Sequence, residues 1–327
     1  MSYFLEGEKV MRIVLFGGTD LTLILAKTIV DMGFNLVGVV TIGRRFSISY
    51  RPSGVDNVRF SDVADWAKST GIPVHYFESN DKVIPFVQSL SADFALVAGW
   101  YHMLPQSLRA CFPKGCAGVH ASLLPSYRGG APLNWAILDG ATETGVSLFE
   151  LTDGVDDGPI YGQERLSISP RSCIGELVER ANEASVALVR TCLPLIKEGT
   201  LTPFPQMGTP SYTLQRIPAD GAIDWRGDAL LIDRLIRAVG RPYPGALTMK
   251  DDILIKIWKA EPFPDNGPRV LGAPGQIANL PDERFPIVVC GTGSLRILEA
   301  TTEDGTDVLP MLRKSNHQRL RPWMMME

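Results

Sequence analysis

The chain has 327 residues, of which 45% are hydrophobic and 21% charged, and its net charge is −4. This balance is typical of a soluble globular protein of two ordinary domains, and it excludes a general electrostatic attraction to nucleic acid or anionic membranes. The apolar runs are shorter than the ~18 residues of a membrane span. The five cysteines form no CxxC pair, which favours reduced thiols. Because the N-terminus also lacks a signal-peptide pattern, we expect a cytoplasmic protein.

The first half of the chain alternates between predicted strands and predicted helices. Residues 11–18 form an apolar run that ends in glycines, as expected of the first strand of a parallel sheet. The further predicted strands are 34–42, 73–76, 93–98 and 116–120, and the predicted helices are 21–32, 62–70 and 83–90. This alternation favours an α/β domain with a doubly wound, Rossmann-like sheet. Gly17-Gly18-Thr19 matches neither a dinucleotide fingerprint nor a P-loop.

The character of the sequence changes near residue 200, where Pro203, Pro205 and Pro210 mark a linker. Beyond it, one helix is predicted at 229–239, and short apolar runs lie at 254–258, 275–278, 287–290 and 295–298, with a hairpin turn at 291–293. We therefore predict four segments: an N-terminal extension at 1–10, a Rossmann-like catalytic domain at 11–202, a linker at 203–211 and a small, mostly β, OB-like domain at 212–327.

Two loops that follow predicted strand ends hold the candidate catalytic residues. Ligands of doubly wound sheets bind beyond the carboxyl ends of the strands, and residues 99–104 and 120–130 follow two such ends. His120 comes directly after a strand, and a tight acidic loop, DGVDDG, follows at 153–158. The acidic loop could also be a solvated turn, but its spacing does not match an EF-hand, and we predict no metal. A carboxylate near a histidine orients the ring and stabilises its cation, which favours direct transfer to an acceptor with His120 as acid or base.

The strings HASLLPSYRGGAPLNW at 120–135 and ATETGVSLFELTDGVDDG at 141–158 resemble those of the 10-formyltetrahydrofolate-dependent formyltransferases. That family includes methionyl-tRNA formyltransferase, glycinamide ribonucleotide formyltransferase and the sugar N-formyltransferases. The SLLPxYRGxAPLNW pattern is similar to that of the sugar enzymes, such as the formyltransferase half of the bifunctional polymyxin-resistance enzyme. Residues 223–225, 236–239 and 243–246 resemble the signature of the family's C-terminal domain.

This resemblance implies a role for each candidate residue. His120 would act on the proton of the attacking amine, and Asp156 would position His120. A reduced folate, with 10-formyltetrahydrofolate as the one-carbon donor, would be held by Trp100, Tyr101, Met103, Leu104, Leu151, Asp153, Gly154 and Val155. The acceptor would lie against Ser122, Tyr127, Arg128 and Asn134.

Gly118 departs from the family pattern, which has an asparagine two positions before the histidine. In the family that asparagine donates a hydrogen bond to the formyl oxygen, and losing one such donor costs roughly 10²- to 10³-fold in rate. The chemistry could therefore be slowed, altered, or reduced to folate binding without catalysis. We expect Gly118→Asn to change stability by under ~1 kcal/mol. It should raise the rate of an ordinary formyltransferase by up to ~10²-fold, or abolish a different native activity.

The charge of the C-terminal part bears on the acceptor. The residues from 204 onward include 15 Lys and Arg and 15 Asp and Glu, so their net charge is zero, whereas a tRNA-binding domain should be basic. We therefore predict a small-molecule amine as the acceptor, such as a nucleotide-linked amino sugar, and no nucleic-acid partner. Methionyl-tRNA is the alternative, because four arginines between residues 44 and 59 make one loop basic, and because Pro205-Gln206 in the linker, together with Tyr212, resembles the tRNA enzymes. Homodimerisation stays open.

Overall fold

The computed structural model describes residues 10–48, 51–264 and 266–323. The N-terminal extension predicted at 1–10 lies, except for Val10, outside the described residues. The chain forms two compact units. The first comprises residues up to Arg128, Gly145–Leu166 and Arg180–Tyr212, and the second comprises Gly129–Thr144, Ser167–Glu179 and the residues from Thr213 onward. The segment predicted as a linker, 203–211, thus lies within the first unit.

Over the first 120 residues, the predicted strands and helices lie within a few residues of observed elements. In order, the observed elements are β1 (Arg12–Phe16), α1 (Asp20–Asp31), β2 (Asn35–Thr41), β3 (Arg45–Ile48), β4 (Arg51–Asp56), α2 (Val63–Ser69), β5 (Val74–Tyr76), α3 (Asn80–Ser89), β6 (Phe94–Ala98), α4 (Gln106–Arg109) and β7 (Cys116–His120). Among them, β3, β4 and the short helix α4 are additional elements that were not predicted. Then follow β8 (Arg128–Gly129), α5 (Pro132–Asp139), β9 (Glu143–Glu150), β10 (Ile160–Ser167), α6 (Ile174–Glu198) and β11 (Tyr212–Thr213).

Seven of these strands form one sheet in the order β10-β9-β7-β6-β1-β2-β5. Strands β1, β2, β5, β6 and β7 run parallel. β1, β2 and β6 are buried along most of their length, as their continuous apolar runs indicate. β7 also pairs with β9, but in the antiparallel direction, and this edge was not predicted as strand. The predicted Rossmann-like α/β fold class is confirmed, with one antiparallel edge added.

The second unit is rich in antiparallel strands, as predicted. After a 3₁₀ turn at Pro218–Gly221 come α7 (Ala229–Val239), β12 (Ala246–Lys250), β13 (Ile253–Pro262), β14 (Ile277–Ala278), β15 (Ile287–Val289), β16 (Ser294–Thr302), α8 (Leu309–Arg313) and β17 (Arg321–Pro322). Six strands form a sheet in the order β14-β15-β16-β13-β12-β17, with every pair antiparallel. Each predicted apolar run contains or overlaps one of these strands.

Helix α7 and the sheet of the second unit share one hydrophobic core. Ile232, Ile236 and Val239 lie on one side of the helix and are buried in this core, together with Trp225. The Trp225 indole Nε1 donates a hydrogen bond to Thr248 Oγ1 at 2.9 Å, so the only polar atom of this buried ring has a partner.

The first turn of α7 is capped by Asp228, whose carboxylate accepts a hydrogen bond from the Leu230 N–H at 2.8 Å. Asp228→Ala removes this cap and is expected to lower the free energy of unfolding by about 1 kcal/mol. Asp228→Ser, which keeps an oxygen acceptor, should remain within about 0.5 kcal/mol of wild type. Chemical denaturation monitored by circular dichroism measures both. Equal stability of the alanine and serine variants would contradict the capping role.

No helix in the described part of the chain has both the length and the apolar character needed to cross a membrane. The five cysteines are free, and burial raises the pKa of Cys116 and of Cys290 to about 12. These two thiols are therefore neutral near pH 7 and serve as small core residues rather than nucleophiles. The described residues contain no cluster of His, Cys and carboxylate side chains that could hold a metal ion.

Candidate active site

Two loops begin side by side at the carboxyl edge of the seven-stranded sheet. β6 ends at Ala98 and β7 ends at His120, and the two strands run parallel with Ala98 opposite Val119. Gly99, directly after β6, has a φ of +65°, and a Cβ there would lie 2.0 Å from Thr19 Oγ1. Glycine is therefore required where the chain leaves β6. The two predicted loops thus share one edge of the sheet, where such sheets bind ligands.

His120 is held between two oxygen atoms of the first unit. Its Nε2 lies 2.8 Å from the Tyr127 carbonyl oxygen, and its Nδ1 lies 3.4 Å from Asp156 Oδ2. Because a carbonyl can only accept, Nε2 carries the proton of the neutral ring and Nδ1 carries the lone pair. The doubly protonated ring can donate toward both oxygens. His120 is only 8% exposed, so protein groups set its orientation.

Asp156 differs from the two other carboxylates of its loop. Asp153 accepts a hydrogen bond from Arg109 Nη2 at 2.6 Å, and Asp157 accepts one from the Thr152 hydroxyl. Asp156 instead lies within ion-pair distance of His120. Its φ is +48°, a left-handed conformation that costs a non-glycine residue about 1–2 kcal/mol and needs support from its surroundings. The acidic loop therefore supplies one carboxylate to the histidine, and two that stabilise the loop.

The space beside Gly118 is filled by hydrocarbon side chains. Gly118 lies two residues before His120 on β7, so both positions face the same side of the sheet, and its cross-strand partner is Phe149. A Cβ at 118 would lie 2.8 Å from Phe149 Cε1 and 2.9 Å from Leu151 Cδ2. The Phe149 ring meets the His120 ring edge to face, with centroids 6.4 Å apart. An asparagine here would require the ends of the Phe149 and Leu151 side chains to shift, so the structure favours a larger cost than the under ~1 kcal/mol expected from the sequence.

The loop after β6 builds an aromatic cluster from residues predicted to hold the folate. Trp100 contacts Phe77 in a T-shaped arrangement with centroids 5.1 Å apart, and the Tyr101 hydroxyl donates to Asn57 Oδ1 at 3.2 Å. Met103 is 52% exposed, whereas Leu104 is buried in the core. The loop therefore presents the aromatic rings of Trp100 and Tyr101 and the exposed, flexible Met103 side chain, while the buried Leu104 side chain holds the loop against the core.

His102 belongs to the same cluster but was not singled out from the sequence. Its ring lies 4.3 Å from that of Phe77, and burial lowers its pKa, so it is neutral near pH 7. Two buried nitrogens here, Trp100 Nε1 and His102 Nε2, have no hydrogen-bond partner among the described residues. A flat ligand with polar edges would satisfy them. The one feature of the sequence that could have indicated His102 is its position within residues 99–104, the loop predicted to lie at the ligand-binding edge of the sheet.

The residues predicted on the acceptor side make contacts of their own within each unit. In the first unit, the buried Ser122 hydroxyl donates to the Ser126 carbonyl at 2.5 Å, and Arg128 donates to Gln206 Oε1 and to the Tyr212 hydroxyl. In the second unit, the Asn134 amide donates to the Ala238 carbonyl at 2.7 Å. Ser122 and Asn134 thus stabilise local structure, and contact of these residues with an acceptor stays a prediction.

Of the remaining residues predicted to hold folate, Leu151 lies against Gly118 as described, and Val155 is exposed. At Gly154, an added Cβ would lie 2.0 Å from Asp157 Oδ2, so a side chain would displace that carboxylate. Gln206 was not predicted as a site residue, yet its amide contacts both the Asp156 loop and Arg128. In the sequence, this residue was noted only as part of a proline-rich linker and for its resemblance to the tRNA enzymes.

Comparison with known protein families finds two regions of this chain that match a family, and together they cover most of its length. Residues 59–193 match the family described as formyl transferase, and residues 216–310 match the formyl transferase C-terminal domain. A methionyl-tRNA formyltransferase from Caldanaerobacter subterraneus subsp. tengcongensis is 33% identical over 297 residues, which cover 90% of this chain and 93% of that protein.

Solved structures share the fold at low sequence identity. HypX from Aquifex aeolicus in complex with tetrahydrofolic acid has a TM-score of 0.65 and 16% identity, over 97% of this chain and 50% of HypX. This chain therefore spans about half the length of HypX. An N-formyltransferase from Helicobacter canadensis, in complex with folinic acid and dTDP-3-aminofucose, has a TM-score of 0.66 and 18% identity, over 89% of this chain and all of that one.

Proposed function

Because this chain belongs to the formyltransferase family, we propose that it transfers the formyl group of 10-formyltetrahydrofolate to the amine of a small molecule. An amino sugar carried on a nucleotide is the favoured acceptor class. The observation that carries this proposal is the His120 ring at the carboxyl edge of the sheet, with Nε2 on a carbonyl and Nδ1 beside Asp156.

The chemistry assigned to His120 follows from its tautomer. The Tyr127 carbonyl holds the proton on Nε2, so Nδ1 is the basic atom and takes the proton that the amine loses as it attacks. Protonated Nδ1 then faces Asp156 Oδ2, and this charge pairing stabilises the cation. His120 then returns the proton to the folate nitrogen as the bond from that nitrogen to the formyl carbon breaks, so that tetrahydrofolate leaves. A positioned acid–base group of this kind contributes typically about 10²- to 10⁴-fold in rate.

The aromatic cluster after β6 fits the donor. When bound, the folate supplies an activated formyl group. Trp100 and His102 each offer a buried nitrogen without a hydrogen-bond partner among the described residues, next to apolar ring faces on which a flat heterocycle can stack. Met103 is exposed beside them and can adapt to the ligand. These features support binding of the pterin at residues 100–104.

The charges of the second unit support a small acceptor. Several of its cations are paired with carboxylates: Arg237 with Asp233, Arg241 with Glu299, and Arg296 with Glu261 and Glu283. From residue 204 onward the charges balance. Because phosphate contacts dominate the affinity for tRNA, such a surface favours an acceptor with few phosphates.

Methionyl-tRNA is the second candidate acceptor. It is favoured by one observation, the 33% identity to a methionyl-tRNA formyltransferase across 93% of that protein. Sequence similarity over the whole length favours the tRNA acceptor, and the charge balance of the second unit favours a small acceptor. Because the two observations favour different acceptors, both acceptors are compared in one assay.

An assay with the purified full chain separates the candidates. We expect consumption of 10-formyltetrahydrofolate and, by mass spectrometry, a formylated product with nucleotide-linked amino sugars. The rates of both should be lowered by about 10²- to 10⁴-fold in a His120→Gln control. Formylation of charged initiator tRNA, with a steep salt dependence of binding, would overturn the small-molecule acceptor. Donor consumption without any acceptor would indicate altered one-carbon chemistry, and saturable folate binding without turnover would indicate a non-catalytic relative.

A further inference from the structure

The side-chain amide of Gln206 joins two loops of the first unit. Its Nε2 donates to the carbonyl oxygens of Asp156 and Gly158, both at 2.8 Å. Its Oε1 accepts from Arg128 Nη2 at 2.7 Å and from Arg128 Nε at 3.1 Å. Both protons of the amide nitrogen and both lone pairs of the oxygen are therefore used inside the protein. A residue that only spanned a linker would not need this set of contacts.

Ser211, five residues further along, holds the other loop. Its Oγ accepts the backbone N–H of Tyr127 at 2.8 Å, and its carbonyl accepts the backbone N–H of Arg128 at 2.9 Å. Its own N–H donates to the Pro125 carbonyl at 3.2 Å. These three bonds fix the backbone on both sides of the Tyr127 carbonyl, the oxygen that accepts from His120 Nε2.

The two residues held in this way are the two partners of His120, and both have left-handed backbones. Asp156 has a φ of +48° and Tyr127 a φ of +56°. Each such conformation costs a non-glycine residue about 1–2 kcal/mol and persists only when surrounding contacts fix it. Gln206 bonds the carbonyl of the first, and Ser211 bonds the N–H of the second.

We propose that Gln206 and Ser211 form a linker clamp that positions Asp156 and Tyr127 around the His120 ring. The two side chains are positioning residues, because they contact the partners of His120 and not the ring itself. The clamp deepens the proposed function and rests on it, since formyl transfer is the reaction that it would support. Two residues of the segment 203–211, Gln206 and Ser211, thus support the catalytic site of the first unit, and the segment is not only a connection.

Kinetics of two truncations test the clamp. Gln206→Ala and Ser211→Ala are each expected to lower kcat by about tenfold, because a small displacement of a catalytic group costs that much or more, while KM for donor and acceptor should change less than about twofold. Gln206→Glu keeps the size of the side chain but loses both donors, and should behave like Gln206→Ala. Ser211→Thr keeps the hydroxyl acceptor and should retain most of the activity. Met207→Ala changes a side chain that is 77% exposed and serves as the matched control.

A double-variant comparison shows whether Gln206 acts through Asp156. In an Asp156→Ala background, Gln206→Ala should cause no further loss, because residues that act as one unit are non-additive. A loss as large as that in the wild-type background would overturn the proposal, and so would unchanged kcat in folded Gln206→Ala and Ser211→Ala variants. Thermal melts of each variant establish that it is folded.

Nitrogen-15 NMR of the histidine rings tests the clamp without any turnover. The chain has four histidines, and the His120 signals are identified by their loss in His120→Gln. Gln206→Ala and Ser211→Ala should shift the His120 ring nitrogens and leave those of His75, His102 and His317 in place. Unshifted His120 signals would overturn the clamp. If no acceptor is formylated by the wild type but these shifts occur, the proposed function fails while the clamp stands.

Discussion

Replacing His120 with glutamine is expected to lower the rate of formyl transfer by about 10²- to 10⁴-fold, the contribution of a positioned acid–base group. Glutamine has a similar reach and can still donate toward the Tyr127 carbonyl, which now accepts from Nε2 at 2.8 Å. It has no basic nitrogen to accept the proton of the amine. The loss should appear in kcat, and folate binding measured by calorimetry should change little, because the folate is expected to bind at residues 100–104.

Asp156→Asn provides the graded comparison. The amide keeps the size of the side chain but removes the charge that faces His120 Nδ1 at 3.4 Å, so the rate should fall by less than in His120→Gln. Asp153→Asn, in the same loop but directed at Arg109, should have a much smaller effect on kcat. A His120→Gln variant with the wild-type rate would show that the ring does not take part in the reaction.

Gly118→Asn is expected to destabilise the protein by about 1–3 kcal/mol, the usual effect of overpacking a filled interior. The Cβ alone would lie 2.8 Å from Phe149 Cε1 and 2.9 Å from Leu151 Cδ2, so these side chains must move. Replacing a glycine gains only about 0.4–1 kcal/mol through the unfolded chain, which does not offset the crowding. Thermal melting and chemical denaturation measure the difference.

The same substitution should lower the rate of formyl transfer by about 10²-fold, because moving Phe149 disturbs the His120 ring and a 1 Å displacement is costly. The two rings are edge to face at 6.4 Å. Gly118→Ala is the matched control: it adds the crowding atom without an amide, so a loss shared by both variants is due to displacement. A folded Gly118→Asn variant with a raised rate would show that the asparagine reaches the formyl oxygen, and that Phe149 and Leu151 yield without cost.

The sequence by itself determined the family, the enzyme class and the fold class, and all three are confirmed. Local signals were sufficient here. Continuous apolar runs predicted the buried parallel strands up to β7, since such strands bury both faces. The strands β9 and β10 were missed for different reasons: the residues of β9 were interpreted only as part of a family motif, and β10 lacks a continuous apolar run. The pairing of β9 with β7 is antiparallel, and no local signal gives the direction of a neighbour.

Among the site residues, the sequence and the family resemblance indicated His120 and Asp156, and the structure places them 3.4 Å apart; their catalytic roles stay predictions. Sequence patterns could not decide which of the three carboxylates of residues 153–157 faces the histidine, because that depends on Arg109 and Thr152 binding the other two. Nor could they show that Phe149 fills the space at Gly118, since a cross-strand contact depends on register between segments about 30 residues apart. Gln206 lies 50 residues from Asp156 along the chain, and only folding brings an amide that looked like part of a linker onto the carbonyl of the acidic loop.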